Sequence, residues 1–390
     1  SKTVSLLENA EKSALTDLGL YNENYLTILN DLGTAYWKAK NFAQAEKVLS
    51  QSLNLKAEVY APDDKEVILS MSNLAGFYAE RGAWQKSKSL YQRILDSNPG
   101  HIPSEIYVTA AQNLVSLYDM HHETDSAKLL LQQIEKWYSV PVNSFLAFQH
   151  KFYRAKIHRK LQEYPEAQKE LDILIEALAT REEPEMAELF LQCLQEQGIL
   201  FLQTGSYSRA EKTLLDAYQR VAGVTNREFL LTELSNNLAQ VYDKLNIYDK
   251  ALKYYEESLG RCRVSYPDNS LPCVILQNNI AGIHLKVNNI PQAIVTYQRV
   301  IREFEKLLSP SDPLFITALN NLATAYRKDN QPDMAIKHLE KAKKLLQDNV
   351  SQRNDLSATV LNNIAVINTA QGDYDKAAQN YEEAYAIKKS

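Results

Sequence analysis

Small residues recur about every 42 positions along this chain, at Gly33, Ala75, Val115, Ala155, Gly198, Ala239, Ala281, Ala323 and Ala365. Twelve positions after each stands another small residue: Ala45, Ser87, Ala127, Ala167, Ala210, Ala251, Ala293, Ala335 and Ala377. Larger side chains keep the same phase. Three places after the first small residue come Tyr36, Tyr78, Tyr118, His158, Phe201, Tyr242, His284, Tyr326 and Asn368. Nine places after it, Phe42, Trp84, Tyr164, Tyr207, Tyr248 and Tyr374 mark the start of a second segment. Sixteen places after it come Leu49, Tyr91, Leu131, Leu171, Leu214, Tyr255, Tyr297, Leu339 and Tyr381. Two small-residue series in fixed phase mark close approaches of helices, repeated along an array. The aromatic and leucine series read as core.

The stretch from Pro313 to Leu346 shows how one unit works. Leu319, Leu322, Ala323 and Tyr326 fall at helical spacing and predict one apolar stripe. Lys328-Asp329-Asn330-Gln331-Pro332 breaks that helix, and Pro332 suits the first turn of the next, where its missing N–H is unpaired anyway. Met334, Ala335, Leu339 and Ala342 form the facing stripe. Ala323 and Ala335 let the two backbones close. The prediction is an antiparallel helix pair that cannot bury its faces alone and stacks on its neighbours.

Composition agrees with an all-α chain. Gly is only 11 of 390 residues and Pro only 12, which leaves little for tight turns and hairpins. The formal net charge of -5 gives no global basic footprint for nucleic acid. No apolar run approaches the roughly 18 residues of a membrane span. Cys193, Cys262 and Cys273 show no metal-ligand spacing and read as free thiols in a reducing, cytoplasmic compartment. The chain starts at Ser1 inside a predicted helix and stops at Ser390 just after one, so it reads as a piece of a longer protein.

Leu-Asn-Asn-Leu-Ala-x-x-Tyr (Leu319 to Tyr326) and Gly-Asp-Tyr-Asp-Lys-Ala-Ala-x-x-Tyr (Gly372 to Tyr381) resemble the tetratricopeptide (TPR) repeat. The matching phase extends over about residues 24–390. The period near 42 exceeds the usual 34 and is similar to the long-helix variant of kinesin light chains. Repeats four and five depart most, with Arg154 and Gln197 where Leu is expected. The resemblance implies a right-handed superhelix of about nine helix-turn-helix repeats in one continuous domain over residues 23–390. Residues 1–22, with Leu6, Leu7, Ala10, Ala14, Leu15 and Leu18, read as a helix covering the first repeat. An irregularity is expected near residues 139–190, around the Ser139-Val140-Pro141 break. At the other end Ala384, Tyr385 and Ile387 have no polar capping helix, which suggests an intramolecular or homotypic contact there.

No catalytic constellation is present: there is no GxSxG, HExxH, P-loop or GxGxxG, and no metal-ligand cluster. The reading is therefore non-enzymatic, without metal or cofactor. His121-His122-Glu123 falls in a loop, and His158 and His284 occupy Tyr positions, where a structural histidine is expected. The helix with Phe145, Phe148, Phe152 and Tyr153 among His150, Lys151, Arg154, Lys156, Arg159 and Lys160 mixes rings and cations. In an acidic protein it is thin support for nucleic acid.

The informative polar series stands two residues before the first small position: Asp31, Asn73, Asn113, Asn237, Asn279, Asn321 and Asn363. Asn is a poor mid-helix residue because its amide competes with the backbone. Its recurrence has two readings: hydrogen-bonded bridges between neighbouring first helices, or an amide ladder facing an extended peptide. The resemblance places this offset near the concave surface and carries the peptide-binding role onto Asn237, Asn279, Asn321 and Asn363. Lys244, Lys286 and Lys328 lie two helical turns beyond Asn237, Asn279 and Asn321. An amide-plus-ammonium pattern suits an acidic peptide segment of a partner protein. Four amide hydrogen bonds contribute only about 2–6 kcal/mol, against about 8 kcal/mol for micromolar binding. Apolar pockets must supply the rest.

The expected function is thus a non-catalytic interaction scaffold. One alternative is the regulatory or sensor arm of a larger protein, because the resembling bacterial arrays are often fused to caspase-like (CHAT) protease or other effector domains; a third reading is a small-peptide sensor resembling bacterial quorum-sensing TPR receptors.

Overall fold

The computed structural model describes residues 2–97, 104–136, 144–222, 227–347 and 355–389, and among them there are helices and no strand. The chain packs as two compact units, Ser1–Glu196 and Gln197–Ser390. In the first, α1 (Lys2–Leu18) precedes the pairs α2 (Glu23–Lys38) and α3 (Phe42–Val59), and α4 (Lys65–Glu80) and α5 (Trp84–Asp96). Then follow α6 (Ser104–Met120) and α7 (Thr124–Lys136), and α8 (Phe145–Lys160) and α9 (Tyr164–Leu178). Helix α10 (Pro184–Gln203) runs across the unit boundary and is followed by α11 (Tyr207–Val221). The second unit continues with α12 (Glu228–Lys244) and α13 (Tyr248–Ser265), and α14 (Leu271–Lys286) and α15 (Ile290–Leu307). It ends with α16 (Pro313–Lys328) and α17 (Pro332–Gln347), and α18 (Asp355–Gln371) and α19 (Tyr374–Lys389). The break expected at Ser139-Val140-Pro141 lies outside the described residues.

Each pair is closed at one place by the small residues. Ala75, Ala155, Ala239, Ala281 and Ala365 are fully buried, as are their counterparts Ala45, Ala127, Ala167, Ala210, Ala251, Ala293 and Ala335. A Cβ on Gly33 would lie 2.8 Å from Leu49 Cγ, and one on Gly198 would overlap Leu214. Ser87 adds a hydrogen bond, its hydroxyl donating to the Ala75 carbonyl at 2.8 Å. The +16 series is core, with Leu49, Leu171, Leu214 and Tyr297 completely buried. Tyr374 and Tyr381 depart from the core reading. They lie exposed on α19, which packs on α18 while no described helix covers its other side.

The turn inside each pair has one geometry. Seven places after the first small residue the backbone is left-handed, at Lys40, Gly82, His122, Gln162, Gly205, Asn246, Asn288, Asn330 and Gly372. The next N–H then reaches back to the carbonyl of the Tyr/His position, as in Asn41 to Tyr36, Glu163 to His158 and Gln331 to Tyr326, each at 2.9 Å. This is the six-to-one bond of a Schellman end, which satisfies a carbonyl the helix would leave orphaned. Between pairs, Asp64 and Asp312 cap α4 and α16 by accepting from Glu66 N and Leu314 N, both at 2.8 Å. At the N-terminus Val4 and Ala14 of α1 pack on Tyr25, Leu26 and Leu29 of α2.

One sequence expectation is corrected. Cys262, in the last turn of α13, and Cys273, in the first turn of α14, form a disulfide, with Cα atoms 5.8 Å apart. The short 266–270 connection folds the two helix ends together, a proximity that an 11-residue separation does not reveal. Cys193 remains free and buried. The thiol argument for a reducing compartment therefore fails.

Candidate functional site

The predicted site residues lie on the first helices of the second unit, α12, α14, α16 and α18. Asn237 is buried, whereas Asn279, Asn321 and Asn363 are half-buried. A second Asn stands one place earlier, at Asn30, Asn236, Asn278, Asn320 and Asn362, in a series to which the sequence reading assigned no part. The two series meet across successive first helices. Asn73 Nδ2 donates to Asn30 Oδ1 at 3.2 Å, and Asn363 Nδ2 donates to Asn320 Oδ1 at 2.6 Å, each across 43 residues. Bridging is what Asn73 and Asn363 do.

The corresponding bonds are not made in between. The Asn236 and Asn278 side-chain oxygens are buried without a hydrogen-bond partner among the described residues. Asn279 makes no side-chain hydrogen bond to a described residue, while the Asn321 amide lies against the buried Tyr297 hydroxyl. The amide series is thus closed at α16–α18 and open at α12–α14–α16. A buried unmatched acceptor costs about 1–3 kcal/mol, so this stretch is the one a new donor would stabilise most.

The lysines divide similarly. Lys286 Nζ sits 2.7 Å from both carboxylate oxygens of Asp243 on the preceding first helix. Lys328 Nζ donates to the Leu285 carbonyl at 3.3 Å. Lys244 is exposed and makes no ion pair among the described residues. Hence Lys286 is neutralised within the fold, and Lys244 and Lys328 keep outward charge.

The basic aromatic helix of the first unit is consumed internally. Lys156 and Lys160 both pair with Asp119, Arg159 pairs with Glu196, and Arg154 binds Glu135 and Glu170. Burial alone would raise the Asp119 carboxyl, but the two lysines hold it below its usual range. His158 shares a 2.6 Å hydrogen bond with Glu163, and His121 stacks on Trp84 with centroids 4.5 Å apart. These histidines have structural work. No group of three metal-ligating side chains converges among the described residues, and no described helix is long and apolar enough to cross a membrane.

Paired helices joined by left-handed turns and closed by small residues define an all-α helix-pair repeat protein. A tetratricopeptide repeat model matches residues 24–100, 272–348 and 314–390, and a second matches residues 232–263. The chain belongs to the tetratricopeptide repeat family. A curated relative, a secreted RxLR effector protein of Plasmopara halstedii, is 24% identical over 143 residues, covering 34% of this chain and 44% of the effector. The chain thus matches less than half the length of that relative. Among solved structures, the apo quorum sensor NprR from B. thuringiensis superposes with a TM-score of 0.66 at 14% identity, over 92% of this chain and 97% of that one. A signal transduction ATPase with numerous domains from Pyrococcus horikoshii, which carries a tetratricopeptide repeat sensor, gives 0.61 at 14% identity. That match covers 94% of this chain and 52% of the ATPase.

Proposed function

We propose that this protein is a non-catalytic scaffold that captures an extended, acidic peptide segment of a partner protein on the first-helix face of its second unit. The observation that carries the reading is the open amide series at Asn279 and Asn321, beside the unmatched oxygens of Asn236 and Asn278. A peptide backbone presents alternating N–H and C=O groups, and a row of side-chain amides offers the complementary acceptor and donor. Asn279 and Asn321 are the proposed backbone contacts, because Asn237 is buried and the Asn363 amide is taken by Asn320. Lys244 and Lys328 would meet acidic side chains, with Lys286 joining if it exchanges Asp243 for the ligand.

Peptides selected from a displayed random library against the intact chain, then titrated calorimetrically, test this. The double substitution Asn279→Ala and Asn321→Ala is expected to weaken the selected peptides about tenfold or more with helicity and melting temperature unchanged. Undiminished binding would sink the groove, and loss of helicity would make both amides structural. Raising salt should weaken binding if the lysines take part.

A second reading is supported by the likeness to two proteins described as sensors, in one of which the matched region is about half of a larger chain. On that reading the same face is the input side of a regulatory arm, and peptide capture alters an effector domain elsewhere in the polypeptide.

A further inference from the structure

The α14–α15 pair differs from its neighbours on its outer side. In the flanking pairs the residue three places after the small position is tyrosine, and its ring is stacked. Tyr242 stacks on Tyr254 with centroids 5.5 Å apart, and Tyr326 on His338 at 5.6 Å. Both hydroxyls are engaged: Tyr242 donates to Glu211 at 2.8 Å, and Gln298 donates to Tyr326 at 2.7 Å. In the α14–α15 pair the two corresponding positions are His284 and Thr296. Both members of the ring stack have become smaller. What remains is a cleft of about 460 Å³ between α13 and α15, floored by α14. A smaller cavity, of about 130 Å³, lies beside His158, the other histidine in a tyrosine position.

The cleft is polar at both ends and apolar between them. At one end Arg263 and Arg299 both bind Asp268, and the buried Gln277 donates to the Asp268 carbonyl and carboxylate at 3.0 and 3.2 Å. The Cys262–Cys273 disulfide closes the connection that carries Asp268. Two guanidinium groups share one carboxylate, so this end keeps a net positive charge and unused N–H donors. Leu259, Ile280 and Val295 line the middle, and Val295 is 61% exposed. At the far end Glu256 stands by His284, whose imidazole burial holds below its ordinary range against the pull of that carboxylate. The far end is therefore negative at neutral pH. Glu256 and Arg263 are seven residues apart on α13, about 10 Å along the helix.

We propose that this cleft binds a short zwitterionic peptide of apolar residues, with its C-terminal carboxylate at Arg263 and Arg299 and its α-ammonium at Glu256. An extended chain spans about 3.3–3.6 Å per residue, so about three residues bridge the two ends. The volume falls in the lower part of the range for small-ligand pockets, roughly 300–1,000 Å³. Gln277, Ile280 and His284 lie on a different face of α14 from Asn279, so this site stands or falls independently of the first-helix groove.

Calorimetric titration of the intact chain with free Leu-Ala-Leu, its C-terminal amide and its N-acetyl form tests the assignment. The free tripeptide should bind one to one, and each blocked form should bind about tenfold more weakly or worse. His284→Tyr, which restores the ring found in the flanking pairs, should abolish binding while the helical circular dichroism is retained. Arg299→Gln should reduce the penalty for amidation, because only Arg263 then remains for the carboxylate. If that variant fails to fold, the exposed Glu256→Gln serves instead: it should weaken the free tripeptide and leave the acetylated one unchanged. Equal affinity of the three forms, unaltered binding in His284→Tyr, or no binding at millimolar peptide would overturn the proposal.

Discussion

Gln162 shows what a single residue contributes to this architecture. It is exposed, at the turn between α8 and α9, with φ at +63°. A side chain in the left-handed region costs about 1–2 kcal/mol. Glycine avoids that cost but has more freedom to lose on folding. Gln162→Gly should therefore stabilise the protein by a net ~0.5 kcal/mol or more, read as a higher urea midpoint. A lower midpoint would mean that the glutamine side chain has a contact of its own. The position was legible in the sequence only in part. Gly82, Gly205 and Gly372 with Asn246, Asn288 and Asn330 mark it, because Gly and Asn tolerate this conformation. Lys40, His122 and Gln162 hide it, because there the surrounding helices impose the turn on residues that do not favour it.

At the scale of elements, the α13–α14 junction is the place where sequence reasoning failed. Two cysteines 11 residues apart on opposite sides of a loop carry no signature of pairing. They meet because the loop returns the chain directly onto the preceding helix. Cross-linking a loop of this size stabilises by about 3 kcal/mol when the bond constrains the unfolded chain. Reduction with a dithiol, followed by alkylation, should lower the denaturation midpoint accordingly and add two alkyl groups by mass. Three alkyl groups on unfolded, unreduced protein would show that the bond is absent. The same junction carries Asp268, which binds Arg263 of α13 and Arg299 of α15, so reduction also loosens one end of the outer cleft.

Across the whole molecule, stability is expected to be distributed by neighbourhood. Within each unit, successive helices such as α3 and α4, α5 and α6, α13 and α14, and α15 and α16 pack on one another, and repeat arrays behave as chains of nearest-neighbour interfaces. Gly198→Ala makes this measurable. Its Cβ would overlap Leu214, and overpacking of this kind costs about 1–3 kcal/mol. Hydrogen exchange should show lost protection in α10 and α11 and their immediate neighbours, while amides of α2 to α5 exchange as before. A uniform loss along the chain would mean that the array unfolds as one cooperative body. The ion pairs of α8 act just as locally: they neutralise most of the cations that cluster on that helix in the sequence.

The periodic residues by themselves determined the all-α class, the pairing of helices, the places of closest approach and most of the core. Helical spacing and side-chain volume are properties of single residues at known separations, and they repeat too many times for another packing to satisfy them. Tertiary structure decided what one repeat does to the next. It closed the amide series at Asn363 and left it open at Asn279, and it placed Lys286 on Asp243. It joined Cys262 to Cys273, and it turned the smaller side chains at His284 and Thr296 into a cleft with charged ends. Each of these depends on distances between residues about 10 to 43 places apart, set by how the helices turn and stack. A side chain's type alone does not contain that information.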